Sequence, residues 1–308
     1  MKSRLGARRA LWLLATVAAV WLSGCQPEPV VSTDGRSAVL RLGYTPSEET
    51  VTDREAVYQA LAGYLERTLG MKVELVRTAS YGPAVESMAR GEIDMMSLGP
   101  LAYILASQQG AAEVLVVTAL PESGPRTYQS ALITHRRTGL NTLADVPARA
   151  GDLRLSYTDP ASNSGHLVPQ ARLAALGLKP EAGFREVDYS LSHSVSIFNV
   201  IYGRSDLAGV SANVLRRLQA KGRVPDDELV VLWESERLPA GPIAVRSALP
   251  DALKRELKAA MVALPERDPA TARIVMAQYS ETGVIYLPGE DALYDGLRRL
   301  AQRMEPAR

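Results

Sequence analysis

One cysteine in 308 residues, Cys25, is too few for a disulfide framework, a thiolate zinc cluster or a thiol nucleophile within a folded domain. The three histidines, His135, His166 and His193, lack metal-ligand spacing. No metal site and no cofactor is therefore expected. The formal charge of +1 leaves no basic excess to attract nucleic acid. Walker A, a G-x-G-x-x-G after the first strand and H-E-x-x-H are all missing. A serine hydrolase could be assembled from Ser164, His193 and Asp206, but a nucleophile elbow needs a glycine where Ser162 stands. The expectation is a protein that is not an enzyme.

What is present begins with a targeting segment. Lys2, Arg4, Arg8 and Arg9 precede an almost wholly apolar run, 10–22, too short for a comfortable membrane span with these flanks. It ends in Leu22-Ser23-Gly24-Cys25, which resembles a bacterial lipobox. That resemblance implies a lipoprotein signal peptide over 1–24, with Cys25 lipidated as the mature N-terminus. It places the protein on the periplasmic side of a bacterial membrane, lipid-anchored. Gln26 is not the Asp that resembles an inner-membrane retention signal. Residues 25–37, rich in Pro, Ser, Gly and charge, read as a tether. Removing 24 residues, four of them basic and none acidic, leaves 284 residues with a formal charge of −3. At about 100–200 residues per domain, two domains are expected.

The mature chain alternates strand and helix patterns. Strands read at 39–44, 72–76, 93–98, 114–120 and 129–134, and helices at 54–69, 83–90 and from Pro100 onward. A second set has strands near 153–157, 184–188, 206–211 and 230–233, with helices near 164–176, 192–202 and 212–220. Pro239-Ala240-Gly241-Pro242 then breaks the chain. A strand at 243–246 and helices near 250–263, 268–280 and 290–303 follow. This last part has too few strands for a third sheet, so it is expected to return to the first lobe. The fold class is α/β with two lobes: 38–129 plus 242–308, and 130–241. Two hinge crossings join them, and the ligand cleft lies between the lobes at the carboxyl ends of the strands.

The stretch with most chemistry is Asp159-Pro160-Ala161-Ser162-Asn163-Ser164-Gly165-His166-Leu167-Val168-Pro169. It lies where a strand hands over to a helix. A helix N-terminus carries unpaired N–H groups and about half a positive charge. Ser162, Asn163 and Ser164 add side-chain donors there, which suits a small oxyanion without an arginine. An ordinary N-cap explains the same residues.

The same stretch resembles D-P-x-S-T-S-G-x-L-V-P of the periplasmic phosphonate-binding proteins of ABC transporters, a family that includes phosphite binders. Ser80-Tyr81-Gly82, Leu98-Gly99-Pro100, Tyr128-Gln129-Ser130, Ser192-His193-Ser194 and Ile243-Ala244-Val245 follow in the family's order. The resemblance implies a two-lobed, type II-like periplasmic binding protein fold. It implies that Ser162, Asn163, Ser164, Tyr81, Tyr128 and His193 bind the ligand, His193 through a protonated imidazole. Asn163 stands where the family has threonine. Tyr44, Tyr103 and Asn213 are further cleft candidates, although a helical tyrosine such as Tyr103 is as readily core. Asp206 reads as structural, because a carboxylate would repel the anion.

Aminophosphonate binders of the family hold the amine with two carboxylates. The matching positions are Asn213 and Gly241, both uncharged. A buried ammonium would lack counter-ions there, so phosphite, methylphosphonate or phosphate is expected as ligand. The implied partners are an ABC permease with its ATPase, and the membrane through Cys25; the protein itself is expected to be a monomer. A ligand-sensing partner of a membrane kinase or cyclase is the alternative.

Overall fold

The computed structural model describes residues 39–45, 54–225, 227–279 and 281–304. The signal, tether and lipobox readings, with Cys25, lie outside these residues.

The chain opens with β1 (Val39–Tyr44), α1 (Arg54–Leu69), β2 (Lys72–Arg77), α2 (Tyr81–Ala89), β3 (Met95–Ser97), α3 (Pro100–Gln108) and β4 (Ala112–Leu120). Strand β1 buries Leu40 and Leu42 on one face, at the two-residue period of a strand. Helix α1 buries Val57, Tyr58, Leu61, Tyr64 and Leu65, the stripe its spacing predicts. Short strands β5 (Gly124–Pro125) and β6 (Thr127–Tyr128) lead to β7 (Ser130–His135). Then come β8 (Arg154–Tyr157), a π-helical turn over Asn163–Leu167, α4 (Val168–Ala174), the single turn α5 (Pro180–Gly183) and β9 (Glu186–Tyr189). Helix α6 (His193–Ile201), β10 (Leu207–Ser211), α7 (Ala212–Ala220), β11 (Leu229–Glu234) and β12 (Leu238–Pro239) follow. The chain ends with β13 (Ile243–Arg246), α8 (Asp251–Arg267), α9 (Pro269–Met276), β14 (Ile285–Pro288) and α10 (Asp295–Met304).

Two sheets result. The first runs β14-β4-β13-β3-β1-β2 with β5 alongside β4, and the second runs β11-β7-β10-β8-β9. Strands β1, β2 and β3 are mutually parallel, as short β-α-β connections require. Strand β13 returns from the second sheet and inserts antiparallel between β3 and β4. It completes the first sheet from within rather than adding an edge. Strand β14, which the helix-dominated pattern of the last 60 or so residues conceals, pairs with β4 at the edge and ends on Pro288. An edge is where a proline costs no ladder bond.

The two crossings pair as a ribbon, β6 with β12, in register Leu238↔Tyr128 and Pro239↔Thr127. Gly241 follows this ribbon; a Cβ there would lie 1.9 Å from the carbonyl oxygen of Leu98. Only glycine permits that approach. The two lobes also touch directly. Ala161 and Val168, from the second sheet's turn, share one buried apolar cluster with Leu98 and Ala102 of the first. Burying a valine contributes about 1.5–3 kcal/mol, so the contact helps hold the two sheets together.

Candidate ligand-binding site

The residues expected to bind ligand follow the carboxyl ends of strands: Tyr81 comes after β2, Ser162–Ser164 after β8 and His193 after β9. On one side, β8 runs into residues 158–162 and then into the π-helical turn. The i→i+5 bonds of that turn include Leu167 N to Ser162 O at 3.1 Å. The sequence pattern predicts regular helix from 164, but the first turn is widened. Such bulges recur at functional sites. Ser162 caps the turn, its Oγ accepting from Gly165 N at 3.0 Å. The cap reading of Ser162 is thus correct, and its hydroxyl hydrogen can still donate to a ligand. A Cβ on Gly165 would fall 2.2 Å from Thr158 Oγ1, so the motif's glycine is needed for packing against β8. Ser130 Oγ donates to Ser164 O at 2.7 Å and ties the turn to β7. Ser162, Asn163 and Ser164 are all buried.

His193 opens α6 beside this turn. Its Nδ1 accepts from Ser211 N–H at 3.1 Å and lies 3.0 Å from Thr158 Oγ1. An imidazole whose Nδ1 accepts carries its proton on Nε2. Burial pushes the pKa of His193 down to about 4, against a weaker opposing pull from Asp159. The imidazolium expected from sequence is therefore replaced by a neutral imidazole. It can donate one hydrogen bond from Nε2 but brings no charge.

Tyr128 comes from the ribbon and Tyr81 from the first turn of α2. Asn163 Nδ2 donates to Tyr128 Oη at 3.0 Å, and Ser164 also bonds that hydroxyl. Burial raises the pKa of Tyr128, so it stays protonated. Asn163 Oδ1 is buried without a hydrogen-bond partner, an acceptor that a P–OH group or a water would satisfy. Tyr81 lies against Gly99, the cap of α3. The six residues expected to bind ligand thus come from α2, the ribbon, the turn and α6.

The secondary candidates divide. Tyr103 is fully buried, donates to Asp291 Oδ1 at 2.6 Å and packs on Tyr294 with ring centres 5.0 Å apart. It belongs to the core rather than the cleft. Tyr44 is also buried, stacked on Tyr58 at 5.4 Å. Asn213 sits in the first turn of α7, 3.5 Å from Arg216 Nη1. Asp206 accepts from Arg154 Nε and Nη2 at 2.9 Å each. Committed to Arg154, it orients no histidine, so no Ser–His–Asp relay forms. No group of three or more metal-ligating side chains comes together among the described residues. No helix among them is long and apolar enough to cross a membrane.

Thr158, Ser130 and Ser211 support the site but were not singled out by sequence. Thr158 directly precedes the motif, which was the one available signal; the other two are placed only by sheet pairing.

A family model described as "ABC transporter, phosphonate, periplasmic substrate-binding protein" matches residues 42–288. The phosphate-import protein PhnD of Mycolicibacterium smegmatis is 27% identical over 237 residues, spanning 74% of this chain and 72% of the relative. The phosphonates-binding periplasmic protein of Escherichia coli K12 is 26% identical over 193 residues, 63% of this chain and 56% of its own length. Among solved structures, a binding protein component of an ABC phosphonate transporter from Pseudomonas aeruginosa superposes with TM-score 0.73 at 23% identity, covering 85% of each chain. PhnD1 of Prochlorococcus marinus, solved with methylphosphonate, gives TM-score 0.74 at 16% identity, covering 87% of this chain and 98% of the other. Both share the two-lobed fold.

Proposed function

The chain belongs to the periplasmic phosphonate substrate-binding proteins of ABC transporters, and on that premise we propose that it captures a small, amine-free phosphorus oxyanion and delivers it to a permease and its ATPase. Phosphite, methylphosphonate and phosphate are the ligands meant. The lobes are 38–129 with 242–308, and 130–241, closing on the ligand. Ser162, Asn163 and Ser164 hold the anion from one lobe, with His193 donating from Nε2; Tyr81 and Tyr128 donate from the other side. A lipid on Cys25 holds the protein at the periplasmic face of the membrane.

The observation that carries this reading is the bond from Asn163 Nδ2 to Tyr128 Oη at 3.0 Å. It brings the serine-rich turn and a ribbon tyrosine to one point, where hydrogen-bond donors outnumber charges. The absence of an amine follows from the other end: Asn213 is neutral, and Leu98 O leaves no room for a side chain at Gly241.

Calorimetry with phosphite, phosphate, methylphosphonate, 2-aminoethylphosphonate, sulfate and arsenate tests the reading. A ligand at ~100 times its dissociation constant stabilises the fold by ~2.7 kcal/mol, so thermal shifts serve as a first screen. Tighter binding of 2-aminoethylphosphonate than of every amine-free oxyanion would overturn it. For the anchor, Cys25→Ser should release the protein from membranes; persistent lipid labelling of that variant would refute lipidation at Cys25.

A further inference from the structure

Asn163 is 2% exposed, yet its amide is only half satisfied. Nδ2 donates to Tyr128 Oη at 3.0 Å, whereas Oδ1 is buried with no hydrogen-bond partner among the described residues. The amide is planar, so Oδ1 lies beside Nδ2 at the same point of the site. Tyr128 Oη takes a second bond, from Ser164. Having received two bonds, that hydroxyl keeps its own hydrogen to donate. Ser162 Oγ receives Gly165 N–H at 3.0 Å and likewise keeps its hydrogen. The turn therefore presents hydroxyl donors beside one amide oxygen that can only accept.

A buried acceptor left unsatisfied is costly, and a ligand that donates to it removes that cost. An unprotonated oxyanion oxygen has only lone pairs and would meet Oδ1 acceptor against acceptor. A P–OH group brings the hydrogen that Oδ1 needs. In the motif D-P-x-S-T-S-G-x-L-V-P a threonine stands at this place, and its hydroxyl can donate or accept. The amide oxygen of Asn163 has no such choice.

The titratable groups around the turn have other roles. From α6, His193 Nδ1 accepts from Ser211 N–H, and burial brings its pKa down to about 4. From the ribbon, burial raises the pKa of Tyr128. Asp159 accepts from Ala161 N at 2.8 Å, and His166 Nδ1 is 2.9 Å from Pro160 O. From α4, Arg172 lies over the Trp233 ring at 5.8 Å, and from α3, Tyr103 donates to Asp291. From α2, Tyr81 lies against Gly99.

We propose that Asn163 Oδ1 is a specificity determinant: it accepts a hydrogen bond from a protonated ligand oxygen, so the site takes oxyanions that carry a P–OH group and rejects sulfonates and sulfate of the same shape, which carry no proton. This rests on the reading above and narrows it from phosphorus oxyanions to their singly protonated form.

The methylphosphonate monoanion and methanesulfonate share shape and charge and differ by one proton, so they are the probes. A phosphoryl group sheds its last proton near neutrality, from about pH 6 upward. Calorimetry on the full chain at pH 6 should show methylphosphonate binding at least about 100-fold more tightly than methanesulfonate, since a site built to bond a ligand O–H rejects the analogue that lacks it. At pH 9 the free ligand is mostly the dianion, and its binding should take up about one proton, read from enthalpies in buffers of different ionisation heat. Asn163→Thr, whose hydroxyl can turn to donate, should narrow the margin over methanesulfonate at least about tenfold and reduce the proton uptake. Equal affinities for the two probes in wild type overturn the inference, a comparison that needs no variant to fold. Binding at pH 9 without proton uptake overturns it as well. Equal losses for both probes in Asn163→Thr, with the margin intact, overturn it and leave Asn163 a structural role. If methylphosphonate, phosphite and phosphate all fail to bind, the reading above fails and this inference with it; if they bind and methanesulfonate binds as tightly, this inference alone fails.

Discussion

Asn163 Nδ2 donates to Tyr128 Oη at 3.0 Å, bonding the serine-rich turn to the ribbon between the sheets. The pair forms only where turn and ribbon meet. Tyr128→Phe should weaken oxyanion binding by about 1–3 kcal/mol, the range for a lost bond that is partly charge-assisted. Small-angle scattering should show a wider ligand-bound form. Wild-type affinity in this variant would remove Tyr128 from the site.

Ser162 and Ser164 differ in what their side chains do without ligand. Ser162 caps Gly165 N, whereas the Ser164 side chain bonds the hydroxyl of Tyr128. Ser162→Ala should therefore cost about 1 kcal/mol of stability and about 1.5–3 kcal/mol of binding. Ser164→Ala should show a similar loss of binding and, with its bond to Tyr128 gone, a stability loss of about 0.5–1.5 kcal/mol. Denaturant melts alongside calorimetry separate the two effects; unchanged affinity in both variants would leave these serines as caps alone.

His193 sets an acid limit on stability. Its folded pKa is about 4, against 6.5 for an ordinary histidine. Between these values the unfolded chain binds a proton that the folded chain does not. Stability therefore rises with pH across that window, is fully present above about 6.5 and falls as pH drops toward 4. The total is about 3 kcal/mol. Urea melts at pH 7.5 and 4.5 should show a steeper loss in wild type than in His193→Gln. Identical pH slopes would mean the buried neutral imidazole is misassigned.

Converting the site to an aminophosphonate binder should not be feasible at both positions. Gly241→Asp forces a side chain into Leu98 O, and we expect it to cost about 3 kcal/mol or more in stability. Asn213→Glu is tolerable at the helix surface, but Arg216 stands 3.5 Å away and competes for the new carboxylate. That variant should improve 2-aminoethylphosphonate relative to methylphosphonate by less than about tenfold. A well-folded Gly241→Asp with a reversed preference would contradict the geometry.

Local chemistry determined much on its own. Period-two and period-3.6 apolar patterns, closed by glycines such as Gly70 and Gly177, located the main strands and most helices but not β5, β6, β12, β14 or α5, because each pattern reports one buried face. The order of those elements implied two α/β lobes, and Ser162–Ser164 stood out because small polar residues mark a strand-to-helix handover. Other features depend on residues far apart in the chain and needed the tertiary structure. Strand β14 and the insertion of β13 between β3 and β4 are choices of partner, which a single strand's pattern does not encode. Tyr103 is core because Asp291 and Tyr294 meet it from 188 or more positions away. Pairing likewise made His193 neutral, since Ser211 N–H and burial come from a neighbouring strand. Gly241 is barred from a side chain by Leu98. Periodicity says which face is buried; only packing says against what, and that decides protonation, charge balance and the shape of the cleft.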